Sequence, residues 1–321
     1  NQVLDDLWAD LELETSGYLQ VAPTSWQQEE ASSLEQFVEE SSRDFKGREE
    51  LLQELVDFAL GAGSDWGTLL VGDSGTGKSA VFAKLVRMLE GEDILVLGHA
   101  AGITWRSSDV ESLLERWCGE LAAFLELEDN TEGLTGLEEL TSLFLWLLGH
   151  VAEERRVVCL VDALNQFERT PTGRFVTWLP EVLPDRVRFI GTAIPGEESV
   201  SLSRRRGLRL HSLTPLSEAE AGALAQAVCA RYHKALAPEL LQALTEKRNS
   251  DEAPASGSPL WLELALEELL LLDADDFQRA EREYEGTGEQ RLYAMMLDVA
   301  ADLPPETEEL YGWLLRRAEE L

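Results

Sequence analysis

Gly72-Asp73-Ser74-Gly75-Thr76-Gly77-Lys78-Ser79 fits the pattern G-x-x-x-x-G-K-[ST]. Average composition produces such a match by chance in roughly one chain of this length in a hundred, so its surroundings decide its meaning. A strand-like run, Gly67 to Val71, precedes it and a helical run, Lys78 to Leu89, follows. A glycine turn would need neither, whereas a phosphate cradle needs both. Glycines let the backbone curl until successive N–H groups converge on a β-phosphate, and the helix dipole adds to the attraction. Gly72, Asp73, Ser74, Gly75, Thr76, Gly77, Lys78, Ser79 and Ala80 are therefore the expected nucleotide contacts. Lys78 should bridge the β- and γ-phosphates, and the Ser79 hydroxyl should ligate Mg²⁺.

A second element, Val157-Val158-Cys159-Leu160-Val161-Asp162, is an apolar strand ending in a carboxylate. Beside a phosphate loop, such an acid stands at the carboxyl edge of the sheet and holds the metal's water shell, so Asp162 joins Ser79 as an expected metal residue. Many hydrolysing relatives of this chemistry supply a further carboxylate to polarise water. Here Ala163, Leu164, Asn165 and Gln166 follow. Gln166 could orient a water by hydrogen bonding, with Glu168 a weaker candidate. The expected catalytic set is thus Lys78, Asp162 and Gln166, and the pattern favours nucleotide binding with slow or absent turnover.

These residues need elements to position them. Strand-like runs at 67–71, 93–97, 157–161, 187–191 and 208–211 alternate with helical ones at 78–89, 107–125 and 137–153, the second opening on a Ser108-x-x-Glu111 capping box. The strands are apolar throughout, as strands covered on both faces should be, which predicts a parallel α/β sheet. Ahead of them lie acidic helical segments at 3–13 and 29–40 and a helix at 49–60. Ser217-x-x-Glu220 caps another helix, and only helical periodicity continues to Leu321, with a polar break at 249–258. The expected division is a lead-in over 1–44, an α/β domain over 45–213, a helical domain over 214–285 and a further helical segment over 286–321. The chain has no initiator Met and opens and closes within helical patterns, as a piece of a longer polypeptide would.

Composition sets the outer limits. The chain has 321 residues, 44% apolar, enough for about two globular domains. Against 27 Lys and Arg stand 61 Asp and Glu, a net charge of -34, so the basic surface for sequence-independent nucleic-acid binding is missing. The excess acid also has a plain reading as a solvated, self-repelling surface. No stretch is long enough to span a bilayer and no signal peptide opens the chain, so a soluble, cytoplasmic protein is expected, with neither nucleic acid nor membrane as partner. Cys118, Cys159 and Cys229 have no metal or disulfide spacing and read as reduced core residues. The four histidines build no site, and Trp117, Trp146 and Trp261 sit at helix-face positions suited to core packing.

Further stretches resemble a family. Phe45-Lys46-Gly47-Arg48-Glu49, the phosphate loop, Asp162 to Gln166, Gly191-Thr192-Ala193-Ile194-Pro195-Gly196 and Gly257-Ser258-Pro259-Leu260 occur in the order seen in STAND NTPases of the NACHT type. Gly98-His99-Ala100-Ala101-Gly102, with Ser107 to Val110 and Leu113 to Cys118, resembles the nephrocystin, telomerase-associated and NACHT-WD-repeat subgroup. The resemblance spans about 44–272. It implies a switch that holds ADP when closed, exchanges it for ATP, opens and oligomerises to drive an attached effector in signalling or innate defence. It also implies that Phe45 and Arg48 lie near adenine and ribose, and that Pro259 closes over the base. Two departures weaken any claim of efficient hydrolysis: Asn165 and Gln166 replace an acidic pair, and Ile194 stands where a sensor arginine is usual. Arg204, Arg205 and Arg206 lie further on, as a solvated turn or a substitute. The family's winged-helix and repeat-sensor regions are expected beyond Leu321.

The reading is a P-loop NTPase with a five-stranded parallel sheet in the order 5-1-4-3-2 and an all-helical lid, binding ATP or ADP with Mg²⁺ and associating with itself. Alternatives are an AAA+-type ATPase that remodels a partner and a nucleotide-stabilised scaffold that never cycles; a kinase fits less well, since no acceptor lid is evident. Because a field of this sign repels an anionic ligand, ADP affinity should rise as NaCl screens it from low to moderate ionic strength. Calorimetry across that range checks this, and a steady fall in affinity with salt would overturn it.

Overall fold

The computed structural model describes residues 25–127, 134, 136–272 and 274–320. The sequence-expected helix at 3–13 lies outside the described residues. In chain order the elements are α1 (Trp26–Ser42), α2 (Glu49–Leu60), β1 (Gly67–Val71), α3 (Lys78–Leu89), β2 (Ile94–Ala100), α4 (Val110–Phe124), α5 (Leu137–Glu154) and β3 (Arg156–Asp162). Then come α6 (Pro171–Phe175), β4 (Val187–Ala193), α7 (Glu197–Ser203) and β5 (Leu208–Ser212). Six helices complete the chain: α8 (Glu218–Arg231), α9 (Pro238–Glu246), α10 (Pro259–Leu270), α11 (Ala274–Glu283), α12 (Gly288–Asp302) and α13 (Thr307–Glu320).

All strand pairs are parallel, and the sheet order is β2-β3-β4-β1-β5, the predicted order read from the other edge. Both faces are covered, and the period of two sorts each strand between two cores. In β3, Val157, Cys159 and Val161 join one core with Trp117, Phe144 and Trp178, while Val158 and Leu160 join the other with Leu52, Phe82 and Leu85. A third core, from Leu216 to Leu310, belongs to the helices after β5. At the sheet's amino edge, Arg188 and Arg156 donate to the Gly61 carbonyl at 3.1 and 2.9 Å, answering an acceptor exposed by the end of α2.

Several sequence expectations change in detail. Ser108 does not cap α4: the Asp109 carboxylate accepts from the Ser112 amide and hydroxyl, both at 2.8 Å, while the Ser108 carbonyl accepts from the Glu168 amide at 2.9 Å. The helix therefore starts at Val110. Trp146 is 51% exposed and lies against His150, because the opposite face of α5 carries the buried Phe144, Leu147, Leu148 and Val151. β5 is an edge strand with Leu210 exposed, so it is not buried on both faces. Arg205 is no solvated residue; it donates to the carbonyls of Val176, Leu179 and Pro180 and fastens the loop after α6.

Buried His99 on β2 ties two loops at the sheet's carboxyl edge. Its Nε2 faces the Ser107 carbonyl at 2.8 Å and therefore carries the proton, leaving Nδ1 to accept from Arg116 at 3.3 Å. Its ring stacks on Phe167 at 5.5 Å. Burial, then the Arg116 charge, pushes its pKa down to about 3. The unfolded chain takes a proton near pH 6.5 that the folded chain refuses until about pH 3, so this stability is present above 6.5 and drains as pH falls. His99→Gln, which keeps a donor for Ser107, should lose about 2–3 kcal/mol less than wild type between pH 6.5 and 4.5. Urea unfolding at the two pH values measures this, and parallel losses would refute it.

Candidate functional site

β1 ends at Val71, and the chain must turn at once to start α3. Gly75 and Gly77 take positive φ of 80° and 84°, the left-handed region where side chains are strained. Gly77 precedes α3 without a side-chain cap, so the amides of Lys78, Ser79 and Ala80 open the helix with no intrahelical acceptor. Side chains are also excluded by crowding: a Cβ on Gly72 would stand 2.8 Å from Thr76 Oγ1, and one on Gly77 3.3 Å from Pro259. Thr76 folds back to donate to the Asp73 carbonyl at 2.8 Å. The nearly buried Lys78 ammonium donates to the Gly72 and Asp73 carbonyls at 2.8 and 2.7 Å, which holds it across the loop. Burial lowers its pKa, opposed by the charges of Asp162 and Asp73 and reinforced by that of Arg48.

Behind the loop, Asp162 is buried with both carboxylate oxygens engaged. Oδ2 accepts from Ser79 Oγ at 2.6 Å and Oδ1 from Thr192 Oγ1 at 2.5 Å. Thr192 Oγ1 in turn accepts from the Ala163 amide at 2.8 Å, which directs its own proton toward Asp162. Ala163 itself is left-handed, φ 56°, as the chain turns off the sheet into a short helical turn, Leu164–Gln166. Burial pushes the Asp162 pKa up against those hydrogen bonds and the nearby Lys78 charge. Since Ser79 spends its hydrogen on Asp162, its lone pairs are free for a cation in front of the loop.

A cleft of about 590 Å³ opens over the loop. Its floor is Ser74, Gly75, Gly77, Lys78, Ser79 and Ala80; one end is formed by Ala163, Asn165, Gln166 and Ile194. Phe45, Lys46 and Arg48 line it from the segment before α2, and Leu216, Leu224, Arg231, Pro259, Leu260 and Glu263 line it from the helices after the sheet. Gly72, Asp73 and Thr76 of the loop do not line it, and Asp162 lies buried behind Ser79. Asn165 turns aside to accept from the Ile194 amide at 3.2 Å, and Gln166 is exposed with its side chain beside Gly102. Glu168 is exposed and does not line the cleft.

The helices reach down onto the loop. The Leu260 amide and Ser258 hydroxyl approach the Gly75 carbonyl, both at 3.4 Å. Arg231 on α8 pairs with Asp44 at 2.7 Å and with Glu267 on α10 at 3.1 Å. Glu263 beside them has its pKa raised by burial and Asp44, with Arg231 opposing. Sequence reasoning gave no role to Thr192, Arg231 or Glu263, and saw Glu220 only as a cap. Thr192 sat inside a quoted motif; nothing in the spacing pointed to the others, and Glu220 meets its partner Arg48 across 172 residues of chain. Among the described residues, no group of three or more His, Cys, Asp or Glu is placed to hold a metal, and no helix is long and apolar enough to cross a membrane.

A five-stranded parallel sheet in this order, with the glycine loop between its central strand and a covering helix, is the P-loop NTPase fold. No family model matches the chain. It is similar to the human NACHT domain- and WD repeat-containing protein 1, 29% identical over 240 residues, covering 70% of this chain and 15% of that protein. A TPR repeat-containing protein of Dictyostelium discoideum is 22% identical over 302 residues, 79% of this chain and 18% of its own length. The chain thus spans less than a fifth of the curated relatives it matches. Among solved structures, a STAND protein with a tetratricopeptide repeat sensor from Pyrococcus horikoshii aligns at TM-score 0.48 and 17% identity, covering 85% of this chain and 34% of that one. The Thermotoga maritima RuvB branch migration motor aligns at 0.42 and 14%, covering 84% and 75%.

Thr192 gives a test of the hydrogen-bonded acid. Thr192→Val keeps the shape but leaves the Ala163 amide and one Asp162 oxygen without partners, and should cost about 2–4 kcal/mol of stability. Thr192→Ser, which keeps the hydroxyl, should recover most of it. Chemical denaturation reads both, and a valine variant as stable as wild type would contradict the assignment.

Proposed function

We propose that this chain is the nucleotide-switch part of a larger STAND protein of the NACHT type, taking ADP or ATP with Mg²⁺ into the cleft over the phosphate loop and converting nucleotide state into self-association in signalling or defence. The carrying observation is that the phosphate loop and α10 share a contact at the Gly75 carbonyl, so whatever occupies the loop also bears on how the helices sit. The similarity to NACHT and WD repeat proteins supports the family reading. In this reading 45–213 forms the nucleotide domain, 214–285 the helical lid and 286–321 the start of a further region.

The residues present fit the ligand. The glycine cradle would accept phosphate oxygens where no side chain can stand, Lys78 would neutralise them, and Phe45, Leu216, Leu224 and Pro259 offer apolar surface to a base. Mg²⁺ would be held by Ser79 in front of Asp162 and would neutralise charge on the phosphates. Slow turnover is supported by the far end of the cleft. Asn165 gives its carbonyl oxygen to the Ile194 amide, Ile194 brings no charge, and the side chains lining that end, Asn165 and Gln166 among them, include no carboxylate to act as a base.

ADP should bind the purified chain by calorimetry, and Lys78→Ala should weaken it by about 10- to 100-fold, the range of one charge-assisted contact. Mass photometry should show larger species with ATP than with ADP, with phosphate release slower than nucleotide exchange. Binding unchanged by the Lys78 substitution, or no binding, sinks the reading; fast release without a change in assembly would favour an enzyme instead.

A further inference from the structure

Arg48 is the least settled side chain at the cleft. With Gly47 it forms a left-handed pair, φ 80° and 62°, and the second of these strains any residue but glycine. The kink brings the Arg48 amide to Glu220 Oε1 at 2.9 Å, and Gly47 must lack a side chain because a Cβ there would stand 2.7 Å from Glu220 Cγ. The other oxygen of the same carboxylate accepts from the Ser217 amide and hydroxyl at 2.8 and 2.7 Å, closing the capping box of α8. One carboxylate therefore holds both the segment before α2 and the first turn of the helical layer.

The guanidinium is divided in the same way. Nη2 donates to the Thr214 carbonyl at 3.0 Å, in the connection between β5 and α8. Nη1 is buried without a hydrogen-bond partner and stands 3.8 Å from where a Cβ on Gly77 would be. Burial disfavours its charge, Glu220 partly offsets this, and the Lys78 ammonium is near enough to feel it. Two cations beside one glycine loop, one with an unanswered donor, are reconciled by an anion between them.

We propose that Arg48 donates to the phosphates held by the glycine loop and couples their presence to the helical layer through Glu220 and Thr214. The inference rests on the nucleotide reading above and adds the route by which the ligand acts on α8. With phosphate in place, the fork of Arg48 has acceptors on both sides and the kink is held. Without it, a buried donor and a strained backbone favour release of the 213–217 connection. Arginine suits this position because its rigid fork meets acceptors on two sides at once, which a lysine ammonium on a flexible stem does not.

Hydrogen exchange over 213–231 with and without ADP, read beside ADP affinity for the same full chain, tests the coupling. In wild type, ADP should slow exchange in that segment. Arg48→Ala should lose about 10- to 100-fold in affinity, as for one charge-assisted contact. Arg48→Lys should keep part of the affinity and lose the protection. Glu220→Gln retains a capping side chain but has a single acceptor oxygen, so it cannot serve Arg48 and Ser217 together. It should bind ADP within about 3-fold of wild type, a fraction of one neutral hydrogen bond, and lose the protection. Ser217→Ala weakens the same cap without touching Arg48 and should keep it. If Glu220→Gln and Ser217→Ala are protected alike, or if Arg48→Ala binds as wild type, the coupling is wrong. Wild type that binds ADP without any change over 213–231 overturns the coupling alone, whereas failure to bind ADP overturns the nucleotide reading and the coupling with it.

Discussion

A loop that offers bare amides to an anion must be kept open by its surroundings, and most of this molecule serves that constraint. Gly75 and Gly77 can occupy their left-handed positions because no side chain has to fit there. β1 lies between β4 and β5, which fixes the point where the loop leaves the sheet. Lys78 would relax toward solvent on its flexible stem, but two carbonyls of its own loop hold it across the mouth. Asp162, buried two strands away, fixes Ser79 from behind. Each device costs something locally, through strain, burial of charge or loss of side-chain freedom, and the two cores flanking the sheet supply the stability that offsets it.

The sheet was legible because its strands are short apolar runs divided by helical periodicity, and burial on both faces leaves that signature directly in the residues. Strand order is not written in the strands themselves; it was expected from the P-loop fold as a whole, in which β4 stands between β1 and the strand ending in Asp162. The misreadings have a common cause. Ser108 and Asp109 are both good capping residues; the choice between them turned on Glu168, some sixty residues away in sequence, taking the Ser108 carbonyl. Trp146 fits the helical spacing, yet which face of α5 meets the sheet is settled by packing. Arg205 looked like part of a charged run until the loop after α6 supplied three carbonyls.

The site divides in the same manner. Residues contiguous with the glycine motif could be named from sequence, since local geometry dictates their roles. Thr192 and Glu220 could not, because each works through one atom of a distant residue. Thr192 orders the acid by accepting from one neighbour and donating to the other, a direction set by the Ala163 amide. Nothing in a Gly-Thr-Ala run announces that. At Asp162 burial raises the pKa, while the hydrogen bonds from Ser79 and Thr192 and the Lys78 charge act the other way.

Charge gives the helical layer's grip its direction. In a chain of net charge -34, cations are scarce, and two of those lining the cleft are shared between its walls. Arg48 reaches from the segment before α2 to the β5–α8 connection, while Arg231 reaches from α8 back to Asp44. The two ties leave from opposite walls, so moving the helices off the sheet must break both. Their surroundings differ, however. Arg231 has two carboxylates and a tyrosine ring to share its charge, whereas one nitrogen of Arg48 is buried with no acceptor. Arg231 is therefore satisfied by protein alone, and Arg48 is the tie whose strength depends on what lies in the glycine loop.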